Sequence, residues 1–156
     1  MTIQEIMTKT PKTCRPDDTL SEAVQLMRCN ECGCLAVTAS DGSGQLVGMI
    51  TDRDICLAAE HQGKALKDVR VGDAMTEEVC TCSQDDTFVQ VQATMWAARV
   101  RRLPVVNGSK QVVGVLSLSD LAREAMRDRT PEQREITRPE ICELLAVVSE
   151  PRKNGR

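Results

Sequence analysis

Two short segments of the chain each combine a hydroxyl side chain with a carboxylate three residues later. They are Thr51 with Asp54 and Ser117 with Asp120. Each pair follows an apolar run and precedes a helical pattern, so we expect a helix to begin at the pair. At such a position the carboxylate can accept hydrogen bonds from the hydroxyl groups of a sugar, while the hydroxyl and the free amides suit an anion. The alternative interpretation is helix capping, which the same residue types serve.

The cysteines are the second group of residues that could have a chemical function. Cys29, Cys32 and Cys34 place three of the eight thiols close together, as a soft metal ion or a redox pair would need. A closed zinc site takes four ligands, however, and this spacing falls short of the recognised zinc patterns. Free cysteine is also among the most buried residue types, so packing of reduced thiols is the competing interpretation.

An internal duplication organises the sequence. Met7-Thr8 recurs as Met75-Thr76 with a shift of 68 (75 − 7), and Gln45–Gly48 corresponds to Gln111–Gly114 with a shift of 66 (111 − 45). The first copy has two additional residues in its Ser40–Gly44 turn. The pattern predicts a first repeat over 1–67, a second over 68–129, and a C-terminal helical segment and tail over 130–156, with an amphipathic helix over 140–148.

Each copy predicts the element order β-α-β-β-α. Thr19 with Glu22, and Thr87 with Gln90, have the spacing of a capping box at a helix start. Asn107-Gly108 lies between two β-branched runs and predicts a hairpin. One copy alone would bury little apolar surface. We therefore expect an α/β (α+β) fold in which the tandem copies pack through their sheets with pseudo-two-fold symmetry.

The composition argues against two classes of partner. The chain has one Trp, one Phe and no Tyr, which removes the aromatic platform on which single-stranded bases stack. Its net charge of −3 gives no basic footprint for nucleic acid, so nucleic-acid binding is not expected. No apolar run has the length of a membrane span, and the start lacks a signal-peptide core; a cytoplasmic location is therefore expected.

The tandem order, the Met-Thr starts and the closing segments Gly48–Asp54 and Gly114–Asp120 together resemble the cystathionine-β-synthase (CBS) domain pair, also called a Bateman module. The resemblance covers roughly residues 3–127. It implies two repeats packed sheet to sheet, with clefts that hold AMP, ADP, ATP or S-adenosylmethionine as a regulatory ligand. It also implies a homodimer that assembles through helices.

The resemblance assigns roles to individual residues. Asp54 and Asp120 would bind the ribose. The phosphates would contact hydroxyl and guanidinium groups, namely Thr51, Ser117, Arg53, Arg101 and Arg102. The adenine would lie among strand residues, namely Thr13, Ala36, Val37, Thr81 and Val105. At the positions of Arg101 and Arg102 the first copy has Gly33-Cys34, so we expect the two clefts to differ.

The predicted function is that of a regulatory binding module, not of an enzyme. The sequence contains no P-loop, no dinucleotide glycine fingerprint and no hydrolase or metalloprotease motif. No cofactor is required. A conformational change on ligand binding would signal to an unidentified protein. The alternative is a cysteine-based redox or metal-responsive protein on the same scaffold, with Cys29, Cys32 and Cys34 as ligands; a structural module with vacant clefts is a third hypothesis.

Overall fold

A computed structural model describes residues 2–127 and 136–150. In chain order the elements are α1 Ile3–Ile6, β1 Thr8–Lys9, β2 Thr13–Cys14, α2 Leu20–Cys29, β3 Cys34–Thr38, β4 Leu46–Thr51, α3 Asp52–Gln62, two 3₁₀ turns at Leu66–Asp68 and Val71–Asp73, β5 Cys82–Ser83, α4 Phe88–Ala98, β6 Arg102–Val106, β7 Val112–Ser117, α5 Leu118–Ala125 and α6 Arg138–Ser149. The predicted order β-α-β-β-α is confirmed in both copies.

The chain forms two compact units, each named here for the repeat that supplies most of it. The first-repeat unit contains Thr10–Val79 and Val106–Val113. The second-repeat unit contains Met1–Lys9, Cys80–Val105 and Gly114–Arg156. Residues 2–9, which the sequence analysis includes in the first repeat, therefore belong to the unit of the second repeat.

The first-repeat unit has a three-stranded sheet in the order β2-β3-β4. β2 is parallel to β3, with Thr13 opposite Ala36, and β3 is antiparallel to β4, with Cys34 opposite Thr51. All five residues of β3 are buried, as expected for a central strand whose two faces are covered. A cluster of buried side chains joins its sheet, its helices and its 3₁₀ turns, namely Cys14, Leu20, Ala23, Met27, Leu35, Val37, Ile50, Ile55, Val69 and Val71.

The second-repeat unit has a four-stranded sheet in the order β1-β7-β6-β5. β1 comes from the start of the chain and pairs antiparallel with β7, with Thr8 opposite Val115. Ile3, in the short helix before β1, is fully buried. The equivalent contact in the first-repeat unit joins Thr76 to Met49, whose backbone groups exchange hydrogen bonds of 2.8 and 2.9 Å. In both units a Met-Thr segment thus extends the edge of the sheet.

Capping boxes fix the helix starts where the sequence predicted them. The Thr19 side chain accepts from the Glu22 amide, and the Glu22 carboxylate accepts from the Thr19 amide at 2.7 Å. The same exchange joins Thr87 and Gln90 at the start of α4. Because these bonds satisfy amides that the helix itself leaves free, they mark the N-terminus independently of tertiary packing.

The hairpin predicted at Asn107-Gly108 is confirmed, since β6 and β7 are neighbours in the sheet. The turn itself differs from the type I′ turn that Asn-Gly favours. The left-handed residue is Lys110, with φ of 59°. The Asn107 side chain instead accepts from the amides of Ser109 and Gln111, both at 3.0 Å. Asparagine acts here through its side chain, which closes a longer loop.

Helix α6 lies outside the duplication and packs against α4 and α5. The predicted amphipathic helix is confirmed, and its residues Ile141, Leu144 and Val148 are buried. Leu145 projects from the opposite side and is 47% exposed. The apolar side of α6 is therefore covered within its own unit.

Candidate functional site

Thr51 and Asp54 join the end of β4 to the start of α3. Asp54 Oδ2 accepts hydrogen bonds from the Thr51 amide at 2.9 Å and from Thr51 Oγ1 at 2.7 Å. The Asp54 amide in turn donates to Thr51 Oγ1 at 3.2 Å. Within the described residues these bonds use only one oxygen of the carboxylate. Capping therefore orients Asp54 and leaves its Oδ1 available as an acceptor.

Ser117 and Asp120 repeat this geometry at the start of α5. Asp120 Oδ2 accepts from the Ser117 amide at 2.8 Å and from Ser117 Oγ at 2.5 Å. The second oxygen, Oδ1, is paired with the guanidinium of Arg123. Asp120 is 8% exposed, whereas Asp54 is only half-buried. The two carboxylates are thus held alike by their caps and differ at the oxygen that the cap does not use.

The predicted phosphate-binding arginines are at the surface. Arg101 and Arg102 are exposed at the start of β6, and Arg53 is exposed in the first turn of α3. The Arg101 carbonyl accepts from the Leu118 amide at 2.9 Å, which places Arg101 beside the start of α5. Ser117, Asp120 and Arg101 are therefore brought together in the second-repeat unit.

The same backbone contact exists in the first repeat without the charged side chain. There the Gly33 carbonyl accepts from the Asp52 amide at 3.2 Å. Because Gly33 stands where the second repeat has Arg101, the start of α3 lacks the adjacent guanidinium. The helix starts of the two copies therefore differ in their charged neighbours, and the difference between the two clefts stays a prediction.

A polar cavity of about 440 Å³ opens in the first-repeat unit. It is lined by β2 and the residues that follow it, by the end of β3 and by the Ser40–Gly44 turn, namely Thr13, Cys14, Arg15, Asp18, Thr38, Ala39, Gly42 and Gly44. Its volume is within the range of small-molecule sites. The Arg15 amide donates to Asp18 Oδ2 at 2.7 Å, which orders one wall.

The five residues predicted around adenine differ in their surroundings. Thr13 lines the cavity. Ala36, Val37 and Val105 are fully buried in the central strands, and Thr81 is exposed. Thr38 and Ala39 also line the cavity and were not predicted from the sequence. Their position immediately after the apolar run of β3 was a usable signal, since the end of a strand is where side chains become accessible.

The cysteines lie in different environments. Cys29 is exposed, Cys32 is half-buried and Cys34 is buried. Among the residues that the structure describes, no three ligating side chains form a group suited to a metal ion. Burial raises the pKa of the Cys14 thiol to about 12, with Asp18 adding to the shift. Burial raises the pKa of Cys82 to about 12 in the same way, with Asp86 adding to it.

Each of the two repeats matches the model of one protein family. The model of the CBS domain matches twice, over residues 3–61 and 71–127. The chain belongs to the CBS domain family. Each match contains one copy of the hydroxyl and carboxylate pair, at Thr51 and Asp54 and at Ser117 and Asp120.

Relatives include both enzymes and short CBS proteins. Inosine-5′-monophosphate dehydrogenase of Methanocaldococcus jannaschii is 34% identical over 130 residues, which cover 80% of this chain and 25% of that enzyme. The CBS domain-containing protein YhcV of Bacillus subtilis is 30% identical over 128 residues, which cover 82% of this chain and 88% of YhcV. The chain thus spans a quarter of the first relative and most of the second.

Among solved structures, the CBS domain pair of protein MJ0100 in complex with 5′-methylthioadenosine and S-adenosyl-L-methionine is similar. It superposes with a TM-score of 0.70 at 27% identity, and the match covers 79% of this chain and 94% of that chain. Separately, no helix in the described part of the chain is long and apolar enough to cross a membrane.

Proposed function

We propose that this CBS domain pair is a regulatory module that binds an adenosine-containing ligand and signals to a partner protein by a conformational change. The ligand classes are AMP, ADP, ATP and S-adenosylmethionine. The observation that carries the proposal is the capped carboxylate at the start of α3 and of α5, Asp54 and Asp120, which recurs in both CBS domain matches. The similar MJ0100 pair, which holds two adenosine compounds, supports this ligand class.

The chemistry of recognition follows from the residues. We propose that the adenine contacts Thr13, the predicted adenine-site residue that lines the cavity. Asp54 and Asp120 would accept hydrogen bonds from ribose hydroxyls, because a capped carboxylate is already oriented before the ligand arrives. Thr51, Ser117, Arg53, Arg101 and Arg102 would contact phosphate. A guanidinium presents a planar fork of donors that matches phosphate oxygens.

Isothermal titration with AMP, ADP, ATP, S-adenosylmethionine and adenosine tests the proposal, with GTP as the control for base recognition. At least one adenosine compound should bind, and GTP should bind more weakly. If none of the adenosine compounds binds or raises the melting temperature, the proposed ligand class is wrong.

Asp54→Asn and Asp120→Asn test the ribose role sharply. The asparagine carbonyl can still accept the two capping bonds, so the helix start is preserved, but the amide group cannot accept from a ribose hydroxyl. We expect affinity to fall about tenfold or more, because a hydrogen bond to a charged group contributes about 1.5–3 kcal/mol. Asp52→Asn, at an exposed neighbouring carboxylate, is the matched control and should bind as the wild type does.

We further propose that the module is a homodimer and has no catalytic activity of its own. The exposed face of α4 supports the dimer, since it is lined by the uncharged residues Val89, Gln92, Ala93, Trp96 and Ala97. Two copies of an uncharged face can meet across a two-fold axis without charge repulsion. Light scattering should give twice the mass of the chain, and ATP incubated with the protein should be recovered unchanged.

A further inference from the structure

Two arginines near the start of α5 are engaged by the last residues of α6. Arg101 donates through Nη2 to Ser149 Oγ at 3.2 Å. Arg99 forms a salt bridge through Nη2 with Glu150 Oε2, also at 3.2 Å. Ser149 ends α6, and Glu150 follows it immediately. The end of this helix thus supplies a hydroxyl and a carboxylate to two guanidinium groups.

Helix α6 is held in this position by its own contacts. It is capped at its start by Thr137, whose side chain accepts from the Glu140 amide. Ile141 and Val148 are almost completely buried and Leu144 is completely buried. The body of the helix is therefore anchored, whereas its last residues, Ser149 and Glu150, are exposed.

Arg101, one of the two arginines that the end of α6 contacts, is next to the second copy of the carboxylate site. The Arg101 carbonyl accepts from the amide of Leu118, the first residue of α5. Ser117 and Asp120 form the cap of that same helix. The first repeat has no counterpart of this arrangement, because Gly33 replaces Arg101 and no copy of α6 follows the first repeat.

We propose that the end of α6 competes with the anionic part of the ligand for Arg99 and Arg101. This inference rests on the proposed function, since it requires a ligand that carries phosphate. Glu150 neutralises Arg99 in the free protein and repels an approaching phosphate, and Ser149 occupies a donor of Arg101. The side chains of Arg99 and Glu150 are 38% and 58% exposed, so the pair is partly screened and exchanges readily with a ligand anion.

The competition is selective for charge. A ligand with several phosphates gains more from the freed guanidinium groups than a ligand with one, and adenosine gains nothing. The end of α6 would therefore set how strongly the second-repeat site favours ATP over uncharged adenosine compounds. Only the side chains of Ser149 and Glu150 need to move, because both are exposed, whereas the preceding Val148 stays buried.

Glu150→Gln tests the competition, with Glu143→Gln as the matched control. Both substitutions remove one negative charge from an exposed residue of the α6 region, but only Glu150 contacts an arginine in the described structure. By titration calorimetry at low ionic strength, E150Q should bind ATP about two- to fivefold more tightly than the wild type, as expected for loss of an exposed ion pair. E143Q should bind ATP as the wild type does, and adenosine should bind all three proteins equally.

The outcomes separate the two proposals. If the wild type binds ATP and E150Q binds it with the same affinity, the competition is wrong while the proposed function stands. An equal gain for ATP and adenosine would also overturn it, because that result indicates a general opening of the site. If neither the wild type nor either variant binds any adenosine compound, the proposed function itself fails. Melting curves of the three proteins verify that each is folded.

Discussion

Two glycines in the β4 and β7 strands are contact positions at which only a hydrogen atom fits. A Cβ atom added to Gly48 would lie 2.8 Å from Met75 Sδ and 2.9 Å from the Thr76 carbonyl oxygen. A Cβ atom added to Gly114 would likewise overlap with Met7 Sδ and would lie 3.1 Å from the Thr8 carbonyl oxygen. The Met-Thr segments and the glycines therefore recur together because each segment lies directly over one glycine.

Gly48→Ala should destabilise the protein. Thr76 O cannot move aside easily, since it accepts the Met49 amide at 2.9 Å. Overpacking of this kind costs about 1–3 kcal/mol, and a thermal melt should show a decrease of several degrees. Gly108→Ala is the control, because no atom lies within 4 Å of its added Cβ. A G48A variant that melts with the wild type would contradict the contact.

Thiol reactivity should divide the cysteines by burial. The exposed Cys29, Cys56, Cys80 and Cys142 should react rapidly with a thiol reagent at pH 8. Cys14 and Cys82 should react only after unfolding, because burial raises the pKa of each thiol to about 12 and the thiolate is the reactive form. Mass spectrometry of the labelled protein with and without denaturant assigns each site. Rapid labelling of Cys82 in the folded protein would contradict the prediction.

The same two thiols give a pH dependence of stability. Their pKa is about 12 in the folded protein and has an ordinary value of 9.0. Above pH 9 the unfolded chain releases protons that the folded chain keeps, so the free energy of unfolding should fall as the pH rises from 9 towards 12. Urea unfolding at pH 8 and pH 10.5 measures this decrease, and a Cys14→Ala/Cys82→Ala variant should show a smaller one.

At the scale of elements, the duplication allows α2 and α4 to be compared position by position. Ser21, Gln25 and Arg28 of α2 correspond to Val89, Ala93 and Trp96 of α4 with the shift of 68 (89 − 21). Val89 is 69% exposed and Trp96 is 44% exposed. At these three positions the outer face of α2 is polar and that of α4 is apolar. An exposed apolar face of this kind is typical of an interaction surface.

Trp96→Arg should weaken the proposed dimer, because it places the residue found at the equivalent position of α2 on the apolar face. A charge on each copy would bring two like charges together at a two-fold interface. Sedimentation velocity should show a shift towards monomer. Gln25→Arg adds the same charge to the equivalent face of α2 and should leave the mass unchanged. If W96R sediments as the wild type does, the dimer does not use this face.

At the scale of the whole molecule, the first residues of the chain complete the sheet of the second-repeat unit. β1 pairs with β7, Ile3 is 0% exposed and Met7 is 9% exposed. The Ile3 amide also donates to the Asp86 carbonyl at 3.1 Å. A terminal segment with these contacts is part of the core of its unit rather than a dispensable extension.

Deletion of residues 2–9 should therefore lower stability strongly. Loss of two buried side chains costs about 3–6 kcal/mol, since each contributes about 1.5–3 kcal/mol when fully buried. For a chain of this size the melting temperature should fall by roughly 6–24 °C. Gln4→Ala, at an exposed position of the same segment, is the control. A deletion variant that melts as the wild type does would show that β1 contributes nothing.

The repeats, the element order and the helix starts could all be predicted from the amino-acid sequence. These features depend on residues that are close along the chain. Thr19 and Glu22 satisfy each other's backbone whatever surrounds them, and so do Ser117 and Asp120. The hairpin at Asn107 is equally local. Its loop is longer than a type I′ turn, and the Asn107 side chain closes it by accepting from the amides of Ser109 and Gln111.

The contacts between distant segments became known only from the folded structure. Residue types do not reveal that Thr8 pairs with Val115, that Thr38 and Ala39 wall a cavity, or that Arg101 meets Ser149. Such contacts are selected by the total surface that the folded chain buries, and many alternative partners satisfy the same local pattern. The candidate carboxylates were therefore predictable from sequence, whereas the surroundings that distinguish Asp54 from Asp120 were not.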